Sequence, residues 1–400
     1  MSKRISLFGY GNTTKSLAKH IKNAVFYDDK CKEPYAGVHH SFVRPAKEFN
    51  PNNSDLEITS PGIPPSNHLI QSAKNLISEY DYFANVMNLK IWISGTNGKT
   101  TTTQMMQYLL EDKGALAGGN IGTPLGELDQ NAPIWILETS SFTMHYTSSA
   151  KPNIYVLLPL SPDHLSWHGS MQGYIDDKLK PLGMMSAQDT AIIPEAYKDT
   201  LTKAKLITYK DENELATLFK IDAKKVKFKG AFLADALLAM AVDSLLFHRI
   251  DYDKINAFTI DPHRQEELLD SKGRLWVNDT KATNIDAAIA AVKRYEASFI
   301  HLILGGDDKG VDLTEFFEFL KDKKMQIYTI GTNKTKLLQL AQRYSIPCTR
   351  CQNLQEAVIE IDIRLKKEEV ALLSPAAASL DEFSSYAQRG DTFKNAVKSI

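Results

Sequence analysis

Short apolar runs recur along the chain, each ended by a glycine-rich or polar turn and followed by a stretch in which apolar positions return every three or four residues. Runs of four to six apolar residues suit strands buried on both faces, and the longer spacing suits helices that cover them. The alternation predicts α/β construction on parallel sheets. It appears three times. Residues 1–88 hold apolar runs at 5–8, 24–27 and 56–59; residues 89–260 hold them at 90–94, 134–137, 154–158 and 191–193, closed by an apolar helix over 232–247. Residues 261–400 hold runs at 275–278, 299–304, 326–330 and 370–373. Three domains with those boundaries are expected, since 400 residues exceed what one hydrophobic core serves.

In doubly wound sheets ligands bind beyond the carboxyl ends of the strands. The turns that follow the first three runs are therefore expected to converge on one crevice: residues 9–14, Asp28 with Asp29, and Ser60-Pro61-Gly62.

Composition narrows the classes. Hydrophobic residues make up 43% and charged residues 24%, as in an ordinary globular protein. Lys and Arg number 47 against 48 Asp and Glu, a formal charge of −1, so no whole-chain basic footprint for nucleic acid or an anionic membrane exists. The apolar run at the N-terminus is too short for a signal peptide, and the stretch from Phe232 to Phe247 is interrupted by Asp235 and Asp243. A cytoplasmic protein without membrane or nucleic-acid partners is expected. Cys31, Cys348 and Cys351 cannot form a disulfide framework. Cys348 and Cys351 have CxxC spacing, but no second Cys/His pair follows, so they read as two unrelated thiols near a strand.

The strongest local motif is Gly95-Thr96-Asn97-Gly98-Lys99-Thr100-Thr101, between the run at 90–94 and a helical stretch. Glycines let backbone N–H groups face phosphate oxygens, the helix N-terminus adds its positive dipole, Lys99 reaches the terminal phosphates, and Thr100 can ligate magnesium. The sequence departs from the longer phosphate-loop form, because Ile93 stands where the first glycine would be.

This shortened loop resembles that of the Mur ligases and the related folylpolyglutamate synthases. The resemblance accumulates downstream in Gly119-Asn120-Ile121-Gly122, Leu137-Glu138-Thr139-Ser140-Ser141-Phe142, Asp163-His164 through Trp167-His168-Gly169, and Tyr174 through Lys178. It implies a Rossmann-like N-terminal domain, a central P-loop ATPase-like domain and a Rossmann-like C-terminal domain. It also implies ATP, two magnesium ions and an acyl-phosphate reaction in which a carboxylate is activated before an amine attacks it. Glu138 would ligate magnesium with Thr100, although an N-cap carboxylate on the next helix is the alternative. His164 resembles the ligand of a second ion, and Lys178 matches the family's carbamylated lysine. Asn120, Ser140 and His164 would position the carboxylate substrate. The match is imperfect at Pro159 and Ser166, and the family's His/Asn helix start reads Gly230-Ala231-Phe232-Leu233-Ala234-Asp235-Ala236 here, which lacks the polar groups that would meet adenine.

In the third segment Asp261-Pro262-His263-Arg264, Val277-Asn278-Asp279-Thr280-Lys281-Ala282-Thr283-Asn284, Leu304-Gly305-Gly306-Asp307-Asp308-Lys309 and the run from Leu373 to Gly390 resemble the family branch that adds D-glutamate to UDP-N-acetylmuramoyl-L-alanine. Arg264 and Asp279 would serve the nucleotide. Lys281, Thr283, Lys309 and Ser379 would bind the amino acid, with Tyr386 where the family usually has phenylalanine. In the first segment Gly11, Asn12 and Thr13 would lie near the pyrophosphate, Asp28 near uracil or ribose, and Ser60 and Gly62 beside them. A monomer is expected. Three alternatives stay open: another ligase of the superfamily such as a folylpolyglutamate synthase, a nicotinamide-dependent oxidoreductase built on Gly9-x-Gly11, and a nonenzymatic nucleotide-binding regulator.

Overall fold

The structure, a computed structural model, describes residues 3–308 and 310–400, with the backbone alone at residue 166. Lys309 therefore lies outside the described residues. The described chain carries three six-stranded sheets in sequence order, each flanked by helices. It divides into two compact units, Met1–Phe228 with Phe232–Phe258, and Lys229–Ala231 with Thr259–Ile400.

In the first sheet β1 (Ile5–Phe8), β2 (Val25–Asp28), β3 (Tyr35–Ala36), β4 (Phe42–Pro45), β5 (Leu56–Thr59) and β6 (Leu76–Ile77) lie in the order β3-β4-β2-β1-β5-β6. Only β3 runs antiparallel to its neighbour. Leu7, Phe8, Phe26 and Ile58 are fully buried, and so is Glu57, whose Oε2 accepts from the Lys74 and Asn75 amides. Phe8 stands opposite both Tyr27 and Thr59, so the three central strands end level.

The second sheet belongs to the same unit and is parallel throughout: β7 (Leu89–Ser94), β8 (Ala115–Gly119), β9 (Ile134–Glu138), β10 (Ile154–Leu157), β11 (Thr190–Pro194) and β12 (Lys205–Tyr209), in the order β12-β11-β10-β7-β9-β8. One hydrophobic cluster runs from Leu7 and Phe26 of the first sheet through Tyr80 and Phe83 to Trp92 and Trp135 of the second. β7 sits where the strand order reverses, with β9 on one side and β10 on the other.

The third sheet forms the second unit: β13 (Glu266–Leu269), β14 (Leu275–Asn278), β15 (Ile300–Leu304), β16 (Met325–Thr329), β17 (Cys348–Arg350) and β18 (Val370–Leu373). The order is β13-β14-β18-β15-β16-β17, parallel except for β13. β18, last in sequence, lies between β14 and β15. Cys348 packs on one face of this sheet and Cys351 is buried on the other, which matches two unrelated thiols.

The hydrophobic pattern misses β3, β4, β6, β8, β12, β13 and β17. Four of these are two- or three-residue or polar edge strands, β4 and β12 are half-exposed, and β8 reads Ala-Leu-Ala-Gly-Gly, too small-sided to register as apolar. The helix Ala231–Phe247 forms as the pattern predicts, and its two interrupting carboxylates are both buried. Among the described residues no helix is long and apolar enough to cross a membrane.

Candidate active site

The phosphate loop follows β7 and leads into the helix Lys99–Leu110. Gly95 (φ +150°) and Gly98 (φ +82°) hold backbone conformations that other residues rarely adopt. A Cβ at Gly98 would lie 2.5 Å from Asp235 Oδ1 and 2.6 Å from Leu158 Cδ2. The helix starts with no side-chain cap, so its first N–H groups remain available to an anion. Lys99 Nζ folds back over the loop, donating to the carbonyls of Gly95 (2.9 Å) and Thr96 (2.8 Å). Thr96 is tied down on its far side by Ser161 and by the Tyr174 hydroxyl at 2.9 Å.

Asp235 is one of the residues that sequence reasoning passed over. It accepts a buried 2.9 Å hydrogen bond from Thr102 Oγ1 and seats the Ala231–Phe247 helix against the loop. A charged residue in an otherwise apolar helix was its signal. Phe232 and Ala236 are both buried, so the helix start meets its surroundings with apolar groups where the family's pattern would place polar ones.

Glu138 ends β9 and is 3% exposed. Its Oε1 accepts from Asn120 Nδ2 at 2.7 Å, whereas Oε2 is buried without a partner among the described residues. The N-cap alternative for Glu138 is corrected: Ser140 caps the helix Ser141–Tyr146, its Oγ accepting from the Thr143 amide. An ionised oxygen buried without a donor is costly, so a cation at Oε2 fits this carboxylate.

Lys178 is 1% exposed, inside the helix Met171–Met184. Its Nζ donates to Ser94 Oγ (3.1 Å) and the Gly95 carbonyl (2.9 Å). Burial, with the Lys99 charge adding to it, pushes its pKa well below the ordinary lysine value. His164 adopts a left-handed backbone at the start of Leu165–His168, its ring 4.7 Å from Phe142. Residues to which the sequence reading gave no role secure this segment: Asp177 pairs with both His168 Nδ1 (2.8 Å) and His145 Nδ1 (3.0 Å), and His168 Nε2 contacts Ser141 Oγ at 2.9 Å. Among the described residues no three His, Cys, Asp or Glu side chains cluster as a metal site.

The first sheet brings its three turns together as expected. The Tyr10 amide donates to Asp28 Oδ2 at 2.7 Å, and the Ser60 amide to the Phe8 carbonyl at 2.9 Å. Asp28 also accepts from the Lys30 amide. Gly11 precedes the short helix Asn12–Leu17. Thr13 shares a small cavity with Thr59, Pro61, Ser78, Glu79, Thr143 and Tyr146, while Gly62 is exposed nearby. Burial pushes the Glu79 carboxyl up to about 7.

In the second unit, the loops after β14, β15 and β18 converge. Asp279, after β14, accepts from Ser374 Oγ (2.8 Å) and the Gln265 amide (3.2 Å), and burial pushes its pKa up to about 7, with Arg264 opposing. Lys281 Nζ lies 3.9 Å over the Tyr386 ring. Thr283 is exposed and Ser379 buried. Asp307 and Ala378 exchange backbone hydrogen bonds, joining the β15 and β18 loops.

The Mur ligase middle domain matches residues 93–242. The chain is 51% identical to the UDP-N-acetylmuramoylalanine–D-glutamate ligase of Campylobacter jejuni subsp. jejuni serotype O:23/36 (strain 81-176), over 99% of this chain and 100% of that one. It is 46% identical to the enzyme of the same name from Helicobacter pylori (strain ATCC 700392 / 26695), covering 98% of each. The MurF ligase of Thermotoga maritima in complex with ADP has a similar fold, with a TM-score of 0.62, 15% identity, and 99% and 97% of the two chains covered.

Proposed function

Because the chain belongs to the Mur ligases, in the branch of UDP-N-acetylmuramoylalanine–D-glutamate ligases, it is an ATP-dependent amide ligase of peptidoglycan synthesis, and we propose how its residues divide the reaction. Its substrates are UDP-N-acetylmuramoyl-L-alanine and D-glutamate. A carboxylate oxygen attacks the γ-phosphorus of ATP, ADP leaves, and the acyl phosphate then loses phosphate as the amine of D-glutamate forms the amide and gives up its proton.

The observation that carries the assignment is that Lys99 and Lys178 both bond to the Gly95 carbonyl of the loop, with Glu138 at the end of the neighbouring strand. The loop amides and Lys99 hold phosphate oxygens where charge develops. The unpartnered Glu138 oxygen suits magnesium with Thr100, and His164 with Lys178 as a carbamate would hold a second ion. Magnesium, when bound, offsets the repulsion between triphosphate and carboxylate. Burial favours the neutral amine of Lys178, the form that adds carbon dioxide to become an anionic carbamate. Asn120 and Ser140 would orient the alanyl carboxylate.

The residue ranges 1–88, 89–260 and 261–400 would serve the UDP-substrate, ATP and D-glutamate respectively. Gly11, Asn12, Thr13, Asp28, Ser60 and Gly62 are assigned to the first, with Arg264 and Asp279 retaining their nucleotide role. Lys281, Thr283, Lys309, Ser379 and Tyr386 are assigned to D-glutamate. We read the enzyme as a cytoplasmic monomer. Phosphate release from ATP should require both the UDP-substrate and D-glutamate. Release at the same rate without D-glutamate, or with a folate in place of the UDP-substrate, would overturn the assignment.

A further inference from the structure

Arg389 is 1% exposed, in the first turns of the helix Tyr386–Lys398, and no carboxylate among the described residues forms an ion pair with it. Its guanidinium is instead shared among three loops. Nε donates to Thr280 Oγ1 (2.8 Å), and Nη2 to the carbonyls of Thr280 (3.0 Å) and Ala377 (3.1 Å). Nη1 reaches the carbonyls of Ala378 (3.3 Å) and Gly305 (3.5 Å). Thr280 Oγ1 closes the circuit by donating to the Tyr386 carbonyl at 3.1 Å. The approach leaves no room for side chains: a Cβ at Gly306 would lie 3.2 Å from Nη1 and 2.2 Å from the Ala378 carbonyl.

Each anchor adjoins a proposed D-glutamate residue. Thr280 precedes Lys281, Ala378 precedes Ser379, and Gly305 opens the run that leads to Lys309. The three loops leave the carboxyl ends of β14, β18 and β15, which are adjacent.

Burying a cation among neutral carbonyls is expensive, and apolar packing would join these loops at lower cost. What the guanidinium supplies is a rigid fork of five donors that holds four carbonyl groups and the Thr280 hydroxyl at once, which the three mobile donors of a lysine cannot reproduce. Desolvation pushes its pKa down to about 10, and the nearby Asp381 and Glu382 oppose that shift without pairing with it.

We propose that Arg389 is the positioning residue of the D-glutamate site, setting Lys281 and Ser379 in register with the loop that starts at Gly305 for the two carboxylates of the amino acid. This rests on the assignment of those loops to D-glutamate.

The test compares Arg389→Lys with Lys281→Ala and Ser379→Ala in the full-length enzyme. Arg389→Lys should raise KM for D-glutamate by roughly 10²-fold, as a misplaced binding group does. KM for ATP and for the UDP-substrate should stay near wild type, and hydroxylamine should trap acyl phosphate at an undiminished rate without D-glutamate. If Lys281→Ala and Ser379→Ala raise KM for D-glutamate and Arg389→Lys does not, the proposal is overturned and the loop assignment survives. If neither alanine variant moves that KM, both are overturned. A measurement on the unaltered enzyme covers the case in which Arg389→Lys does not fold. The Arg389 Nε–H resonance, in protein labelled with nitrogen-15 at arginine, should exchange slowly with water and shift when D-glutamate is added; fast exchange and no shift would overturn the proposal.

Discussion

The side-chain nitrogen of Lys178 donates a 2.9 Å hydrogen bond to the carbonyl of Gly95, the first residue of the phosphate loop. The two are far apart in sequence, and the Met171–Met184 helix brings them together. A lysine in this place touches the phosphate loop yet is shielded from water, which favours its neutral form.

Lys178 should therefore be carbamylated in the working enzyme. Enzyme prepared without carbon dioxide should lose activity and regain it with bicarbonate, and carbon-13 bicarbonate should give a carbamate signal that Lys178→Ala lacks. Lys178→Ala should fall roughly 10²–10³-fold in kcat and recover partly with formate or acetate. Full activity of Lys178→Ala in bicarbonate-free buffer would remove the carbamate from the mechanism.

Lys99→Ala should lose roughly 10²–10³-fold in kcat, the range seen when one transition-state donor is removed. Lys99 bonds to the Gly95 and Thr96 carbonyls of the loop and does not pack in the sheet core, so the melting temperature should change little. Unchanged turnover at saturating ATP would contradict the role.

Gly98→Ala should both destabilise the protein and weaken ADP binding. The left-handed backbone costs about 1–2 kcal/mol for a residue with a Cβ. The methyl group would also press on Asp235 and Leu158, which must shift. Calorimetric melting and ADP titration should change together.

Glu79 gives the stability a pH dependence. The folded protein keeps this proton up to about pH 7, whereas the unfolded chain releases it near the ordinary value of 4.5. The folded state therefore binds more protons between those values, and stability falls as pH rises through that window by roughly 3 kcal/mol. Urea unfolding of Glu79→Gln should lack the part of the fall that Glu79 contributes and keep the part of the same sign from Asp279.

Amino-acid choice should follow charge. D-Glutamine would leave a cation of the Lys281–Lys309 set without its carboxylate, so turnover should drop sharply relative to D-glutamate. Equal rates with both would end the assignment of these lysines.

Much of this was legible in the sequence because it is local. A strand buried on both faces must be continuously apolar, and a turn that lets backbone amides face a phosphate needs glycine, so the α/β construction, the loop at Gly95 and the crevice beside Gly9 announce themselves in adjacent residues. The likeness to the ligase family rested on such runs. Edge strands such as β3 and β17 escaped because one or both faces meet water and no apolar pattern is required of them. Asp235, Asp177 and Arg389 escaped for another reason. Each is a charged residue whose meaning depends on partners remote in sequence: Thr102 for Asp235, His145 for Asp177, and three separate loops for Arg389. The sequence determined which segments could be buried and where phosphate could bind, since both are properties of neighbouring residues. Only the tertiary structure decided which charges would be taken out of water and what would satisfy them there, because that follows from the order in which strands assemble, with β18 between β14 and β15, and not from the order in which they are written.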